Sequence, residues 1–228
     1  AVNGYAYPAI SPALLRSVLP GLSALTPFTY GFTTAGRLIP PADSSMRAMA
    51  ARWGTPVLLH LSTLTEEGGF SSDLAHLALT DPVLQETLLE QVVSTVADKG
   101  YAGVDVDFEY LPGEDSAAYA AFLTRLRARL APFGLPVIAA LAPKTSSSQP
   151  GLLYEGHDYA AIGAAADQVL LMTYEWGYTY GPPMAVAPLP NVRQVVEYAL
   201  AQLPAEKAWL SLPFYGYDWP LPFVAGQS

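Results

Sequence analysis

Three carboxylic acids stand at alternate positions in the segment Gly103-Val104-Asp105-Val106-Asp107-Phe108-Glu109-Tyr110. Side chains alternate along an extended strand, so Asp105, Asp107 and Glu109 share one face, with neighbours about 7 Å apart. Val104, Val106 and Phe108 take the other face. An exposed strand end could simply turn its acids to solvent, but a strand of a parallel sheet is covered on both sides. Three acids on an inward face repel one another if all are ionised, and at least one is expected to hold a proton at neutral pH. A carboxyl of raised pKa beside a carboxylate that can shift its charge is what general acid catalysis requires.

Other chemistries find little support in the composition. There is no cysteine, which excludes disulfides and thiolate metal sites. His60, His76 and His157 are the only histidines and are widely separated, so no metal site and no cofactor is expected. The net charge of −9, without a basic run, argues against nucleic acid as a partner and is read as solubility. No stretch is long and apolar enough for a membrane span. Ala1 starts without Met or a basic leader and is read as a processing boundary. A bacterial exported protein that folds without disulfides fits these features.

The elements that must position the acids are legible as an alternation. Apolar runs at 4–10, 28–32, 56–61, 103–108, 136–141, 168–174 and 208–214 read as strands. Between them, Pro82–Lys99 carries Val83, Leu84, Leu88, Leu89, Val92, Val93 and Val96 at helical spacing. Asp81 is its expected N-cap, Pro82 suits the first helical position, and Gly100 suits the stop. Ser116–Leu130 and 191–203 read as further helices, the latter capped by Asn191. Such alternation indicates an α/β protein with a parallel sheet covered by helices. The dinucleotide-binding version of a doubly wound sheet is disfavoured because no Gly-rich phosphate fingerprint follows the first strand. Acids recur at strand C-terminal ends, which a barrel gathers around one site. The expectation is therefore a (β/α)8 TIM barrel, forming one domain over residues 1–228 and incomplete after its seventh strand. The proline-containing loops at 179–190 and 219–223 are expected over the barrel mouth.

The acid-bearing segment resembles the strand-4 signature of family 18 glycoside hydrolases, Asp-x-x-Asp-x-Asp-x-Glu, with Ala102 in place of the first Asp. Leu171-Met172-Thr173-Tyr174-Glu175-Trp176-Gly177 resembles the family's strand-6 Met-x-Tyr motif, with Glu175 where chitinases usually have Asp. Pro213-Phe214-Tyr215-Gly216-Tyr217-Asp218-Trp219 resembles its strand-7 motif. On strand 3, His60-Leu61-Ser62-Thr63 departs from the Ser-x-Gly-Gly of chitinases. A finer resemblance is to the branch of spore-cortex-lytic and germination-associated N-acetylglucosaminidases. Its marks are Ala142-Pro143-Lys144-Thr145, the run from Leu152 to Tyr159 containing Glu155-Gly156-His157, and the run from Gly181 to Pro188.

The resemblance implies a hydrolase of β-linked N-acetylglucosamine in peptidoglycan, exported to the cell wall or the spore cortex and coat. It implies Glu109 as acid and base, Asp107 as the group that binds the acetamido N–H, Asp105 as the partner that tunes Asp107, and Tyr174 as donor to the acetamido oxygen. The substrate's own acetamido group then replaces the second carboxylate that most retaining glycosidases use as nucleophile. Glu175, Trp176, Tyr7, Tyr110, Tyr215 and Asp218 are candidate sugar-binding residues, because sugar C–H faces pack on aromatic rings. Glu175 is also a candidate conventional nucleophile, and Asp218 and Lys144 are equally open to simple ion pairing. Competing readings are an inactive lectin-like binder of the same family, which would typically lose the acid, and a chitinase or endo-N-acetylglucosaminidase.

Overall fold

The alternation of strands and helices is the one the chain adopts. The computed structural model describes residues 1–228. In chain order the elements are β1 (Asn3–Ala6), α1 (Pro12–Val18), β2 (Ala24–Pro27), β3 (Gly31–Phe32), β4 (Leu38–Ile39), α2 (Ser44–Trp53), β5 (Leu59–Ser62), α3 (Ser72–Thr80), α4 (Pro82–Lys99), β6 (Val104–Asp107), α5 (Ser116–Leu130), β7 (Val137–Leu141), α6 (Tyr159–Ala165), β8 (Gln168–Leu171), α7 (Leu189–Gln202) and β9 (Ala208–Leu210).

β5, β6, β7, β8 and β9 form one parallel sheet in that order. β1 pairs in parallel with β2. β2 and the residues after it reach β5 through parallel bridges between Leu25 and Val57 and between Tyr30 and Leu61. Seven parallel strands, β1, β2, β5, β6, β7, β8 and β9, therefore follow one another around a (β/α)8-type barrel. β1 and β9 are its two edges, and an eighth strand between them is not among these residues. β3 and β4 form a small antiparallel hairpin.

Two sets of buried side chains fix which way each strand faces. Leu59 and Leu61 of β5, Val104 and Val106 of β6, Val137, Ala139 and Leu141 of β7, and Val169 and Leu171 of β8 join the helices in one large core. The alternate residues Leu58, Ile138 and Leu170 gather with Ala24 in a separate small cluster. That cluster is an inner layer of the barrel, and period-2 alternation then sends His60, Asp105 and Asp107 inward as well. Phe108 faces outward and packs on Tyr119 and Phe122 of α5, with ring centroids 5.6 and 5.4 Å away.

α4 begins and ends where its sequence signals lie. The Asp81 carboxylate accepts from the N–H groups of Val83 and Leu84 at 2.8 and 3.2 Å. Gly100 closes the helix at φ 68°, a conformation that costs glycine little. Several boundaries differ from expectation. α7 starts at Leu189, with Pro188 in the cap position and Asn191 inside the helix. Pro190 is accommodated because the first turn has no use for its missing N–H. The strand expected at 168–174 ends at Leu171, because Thr173 and Tyr174 donate to Leu171 and Met172 of their own segment instead of to a neighbouring strand. The strand expected at 208–214 ends at Leu210, and Phe214 is fully exposed. Within the strand expected at 28–32, Tyr30 bridges Leu61 in parallel and Gly31–Phe32 form β3, while the strand that pairs with β1 lies earlier, at Ala24–Pro27.

Candidate active site

The parallel strands put all their C-terminal ends on one rim. β6 carries Asp105 and Asp107 on its inward side, and Glu109 and Tyr110 follow just beyond its end. Tyr174 follows the end of β8 in the same way. Asp105 is completely buried and Asp107 nearly so, whereas Glu109 is half-buried and Tyr110 exposed. The carboxyl groups thus step from the barrel interior to its mouth.

Neither buried aspartate has a cationic partner. The hydroxyl of Tyr5, on β1, donates to Oδ2 of Asp105. The Tyr5 ring is partly exposed, but its hydroxyl turns inward. Oδ1 of Asp105 and Oδ1 of Asp107 are buried without any hydrogen-bond partner. Burial pushes Asp105 up to about 6, against a smaller downward pull from the Tyr5 bond. Asp107 is raised well above the usual carboxylate range, first by burial and then by the charges of Glu109 and Asp105. Glu109 is raised by burial. Carboxyls so placed take up protons readily, because an ionised group there loses water and gains no counter-ion.

His60 of β5 lies beside this row. Its Nε2 is 3.6 Å from Oδ2 of Asp107. The pair is not an ion pair, because burial lowers the imidazole to about 3 and keeps it neutral. Tyr174 faces the acids, and its hydroxyl is held protonated by burial, then by the charges of Asp107 and Glu109.

Around the mouth, Glu175 accepts from the Tyr215 hydroxyl at 2.5 Å and from that of Tyr217 at 3.0 and 3.1 Å. Tyr215 also meets Tyr174 edge-on. Tyr110 and Glu175 have φ of 56° and 69°. Side chains other than glycine seldom adopt this region, and such residues cluster where geometry is under functional demand. Each directly follows one of the central groups, Glu109 and Tyr174. Trp176 is half-buried, and its backbone N–H donates to Val186 O at 3.1 Å. Next to it, Gly177 approaches the carbonyl of Met184 so closely that a Cβ would lie 2.0 Å from the oxygen.

Not every candidate joins the cluster. Tyr7 lies past the end of β1, exposed, with its ring against Phe28. Asp218 is exposed and forms neither a hydrogen bond nor an ion pair with another side chain. Lys144 is buried and makes no ion pair; its Nζ donates to the carbonyls of His157 and Ser147 at 3.0 and 3.4 Å. Tyr5, His60 and Thr29 reach the acids or their neighbours without having been singled out as site residues. The alternation that turned Asp105 inward also turns Tyr5 and His60 inward, but which strands adjoin β6 is a matter of barrel closure.

The stretch from Leu152 to Tyr159 also has a physical role. Nε2 of His157 donates to the carbonyl of Phe108 at 2.9 Å, while its Nδ1 accepts from the N–H of Ala142 at 2.9 Å. Gly156 N–H donates to Leu111 O at 3.0 Å, and Ser72 Oγ donates to Tyr110 O at 2.7 Å. The backbone on both sides of Glu109 is thereby tied to β7 and α3. A side chain at Gly156 would collide with Leu111, its Cβ falling 2.2 Å away.

Residues 45–223 match the family described as "Glycosyl hydrolases family 18". The chain belongs to glycosyl hydrolase family 18. It is 40% identical over 213 residues to the "Cortical fragment-lytic enzyme" of Bacillus subtilis (strain 168), covering 93% of this chain and 49% of that protein. It superposes on the Bacillus cereus spore cortex-lytic enzyme SleL with a TM-score of 0.93 at 34% identity, covering 99% of this chain and 53% of that one. A chitinase from Chromobacterium violaceum ATCC 12472 superposes with a TM-score of 0.88 at 26% identity, covering 96% of this chain and 70% of that one. The chain spans about half the length of the curated relatives it matches. Within the family 18 frame, Ala102 replaces the first acid of the strand-4 signature. It is partly buried and packs against the inner layer formed by Ala24, Leu58, Ile138 and Leu170.

Proposed function

We propose that residues 1–228 belong to the catalytic domain of a glycosidase that cleaves β-linked N-acetylglucosamine in bacterial peptidoglycan, spore cortex above all, by substrate-assisted retaining hydrolysis. The supporting observation is the row Asp105, Asp107, Glu109, its two aspartates buried without counter-ions and its half-buried Glu109 at the mouth, faced by a protonated Tyr174. The cortex-lytic relatives support the choice of glycan. An exported protein acting at the wall or cortex fits the same reading.

Glu109 stands at the mouth, open to a glycosidic oxygen, with its pKa raised by burial, and in its acid form it is the proton donor. As the C–O bond breaks, Glu109 donates its proton to the leaving sugar. The carbonyl oxygen of the substrate's 2-acetamido group attacks the anomeric carbon and closes an oxazolinium ring. Asp107, carrying negative charge at that moment, accepts from the acetamido N–H and stabilises the positive ring. Its buried setting makes that interaction strong once the sugar has displaced water. Tyr174 donates to the acetamido oxygen and fixes its direction. Water then opens the ring, with Glu109 as base. The nucleophile is tethered to its target, so much of the orientational entropy is already lost before reaction.

The test is digestion of purified cortex, vegetative peptidoglycan, chitin oligosaccharides and a glucose analogue, with products identified by mass spectrometry. The full-length protein should release N-acetylglucosamine-terminated fragments from cortex, and Glu109→Gln should lower the rate by about 10²–10⁴-fold. An unchanged rate in that variant, or equal cleavage of substrates that lack the acetamido group, defeats the proposal.

A further inference from the structure

His60 looks onto the acids from inside the barrel. Along β5 it is the register partner of Asp105, and its side chain is 2% exposed. Nδ1 is 2.6 Å from the hydroxyl of Thr29. The same hydroxyl is 3.0 Å from Oγ of Ser62, also on β5. Phe28 lies against the imidazole at a centroid distance of 5.0 Å, and Tyr5 meets it edge-on at 5.8 Å. Clamped on three sides, the ring has one free polar atom, Nε2, and that atom points at Oδ2 of Asp107. The other oxygen of Asp107 has no partner at all.

We infer that His60 is a positioning residue for Asp107: Thr29 fixes the imidazole through Nδ1, and Nε2 sets the rotation of the Asp107 carboxyl for its contact with substrate. This rests on the catalytic reading of Asp107 and Glu109. We assign the Thr29 hydroxyl proton to Nδ1, at 2.6 Å the nearest of its acceptors, ahead of Ser62 Oγ, Tyr30 O and His60 O at 3.0, 3.1 and 3.3 Å; the single N–H of the neutral imidazole is then at Nε2 and faces Asp107. At 3.6 Å the contact is longer than a hydrogen bond. In the inferred arrangement a rotation of the Asp107 carboxyl about its own bond shortens the contact. The titratable groups facing His60 are Tyr5 from β1 and Asp105 and Asp107 from β6. None of these is cationic, and Nε2 of His60 stands 3.6 Å from Oδ2 of Asp107 from the β5 side of the barrel.

Replacements separate the two ring nitrogens. The amide nitrogen of Gln reaches about where Nε2 stands, that of Asn about where Nδ1 stands, and Phe keeps the ring without either. In the full-length protein, His60→Phe should lower kcat by about 10²-fold, the usual cost of a misplaced reacting group, with KM changed much less. His60→Gln should retain most of the activity and His60→Asn should resemble His60→Phe. Thr29→Val, which frees Nδ1, should lower kcat in the same sense but less. The acidic limb of the kcat profile should move to higher pH in His60→Phe, because a donor to the carboxylate form has been lost. A thiazoline mimic of the cyclised sugar should lose more affinity than uncleaved substrate does. Equal losses in the Phe, Asn and Gln variants, or an unmoved pH limb, overturn the inference and leave His60 as packing. Glu109→Gln run alongside reports on the catalytic reading separately: if it is inactive while His60→Phe is normal, only the role of His60 fails. Melting curves for every variant identify those that fail to fold, and Gln, the most similar in shape, decides if Phe does.

Discussion

Replacing Asp105 by Asn should make the protein more stable above neutral pH while impairing it as a catalyst. Asp105 is completely buried, and burial holds its carboxyl at about 6 instead of the ordinary 3.8. The folded protein therefore binds this proton more tightly than the unfolded chain does. The stabilisation is fully present below the unfolded value, near 4, and is lost as pH rises through about 6. The separation corresponds to about 3 kcal/mol by the usual conversion. Asparagine has nearly the same shape, never ionises, and keeps an oxygen that can accept from Tyr5. Parent and variant should thus have similar stability near about pH 4, and the variant should lead by about 2–3 kcal/mol near about pH 8. For a domain of this size that is roughly 4–12 °C in Tm. Urea and thermal unfolding of the full-length protein, followed by circular dichroism across this range, measure the difference directly. Parallel pH dependences for the two proteins, or a variant that is the less stable at alkaline pH, refute the claim that an uncompensated charge is buried at Asp105.

Two further substitutions probe the neighbouring layers. Tyr174→Phe removes a single hydroxyl facing Asp107 and Glu109 and should lower kcat by about 10²-fold, as loss of one oriented donor does; single-turnover hydrolysis of a cortex oligosaccharide checks this. Phe108→Ala empties the outward side of β6, where the ring lies between Phe32, Tyr119 and Phe122. It should cost about 3–5 kcal/mol in denaturant unfolding, and a loss below about 1 kcal/mol would mean that α5 is not anchored there.

The acids, their spacing and the face they share could be read from residues 103–110, because period-2 alternation is a local property of an extended chain. The boundaries of α4 were equally legible, since Asp81, Pro82 and Gly100 act within one helical turn of themselves. The family resemblance came from contiguous segments such as Leu171 to Gly177 for the same reason. What tertiary structure alone decided is who stands next to whom across the barrel. Tyr5 on Asp105, His60 beside Asp107, and His157 on the carbonyl before Glu109 join residues 100, 47 and 49 positions apart. The strand ends at Leu171 and Leu210 were likewise set by where a partner strand stops offering N–H and C=O groups. Solvation belongs to the same class: a carboxyl's sequence neighbours do not say whether water reaches it. Only the wall of strands strips water from Asp105 and Asp107 and raises both carboxyls above the ordinary carboxylate range.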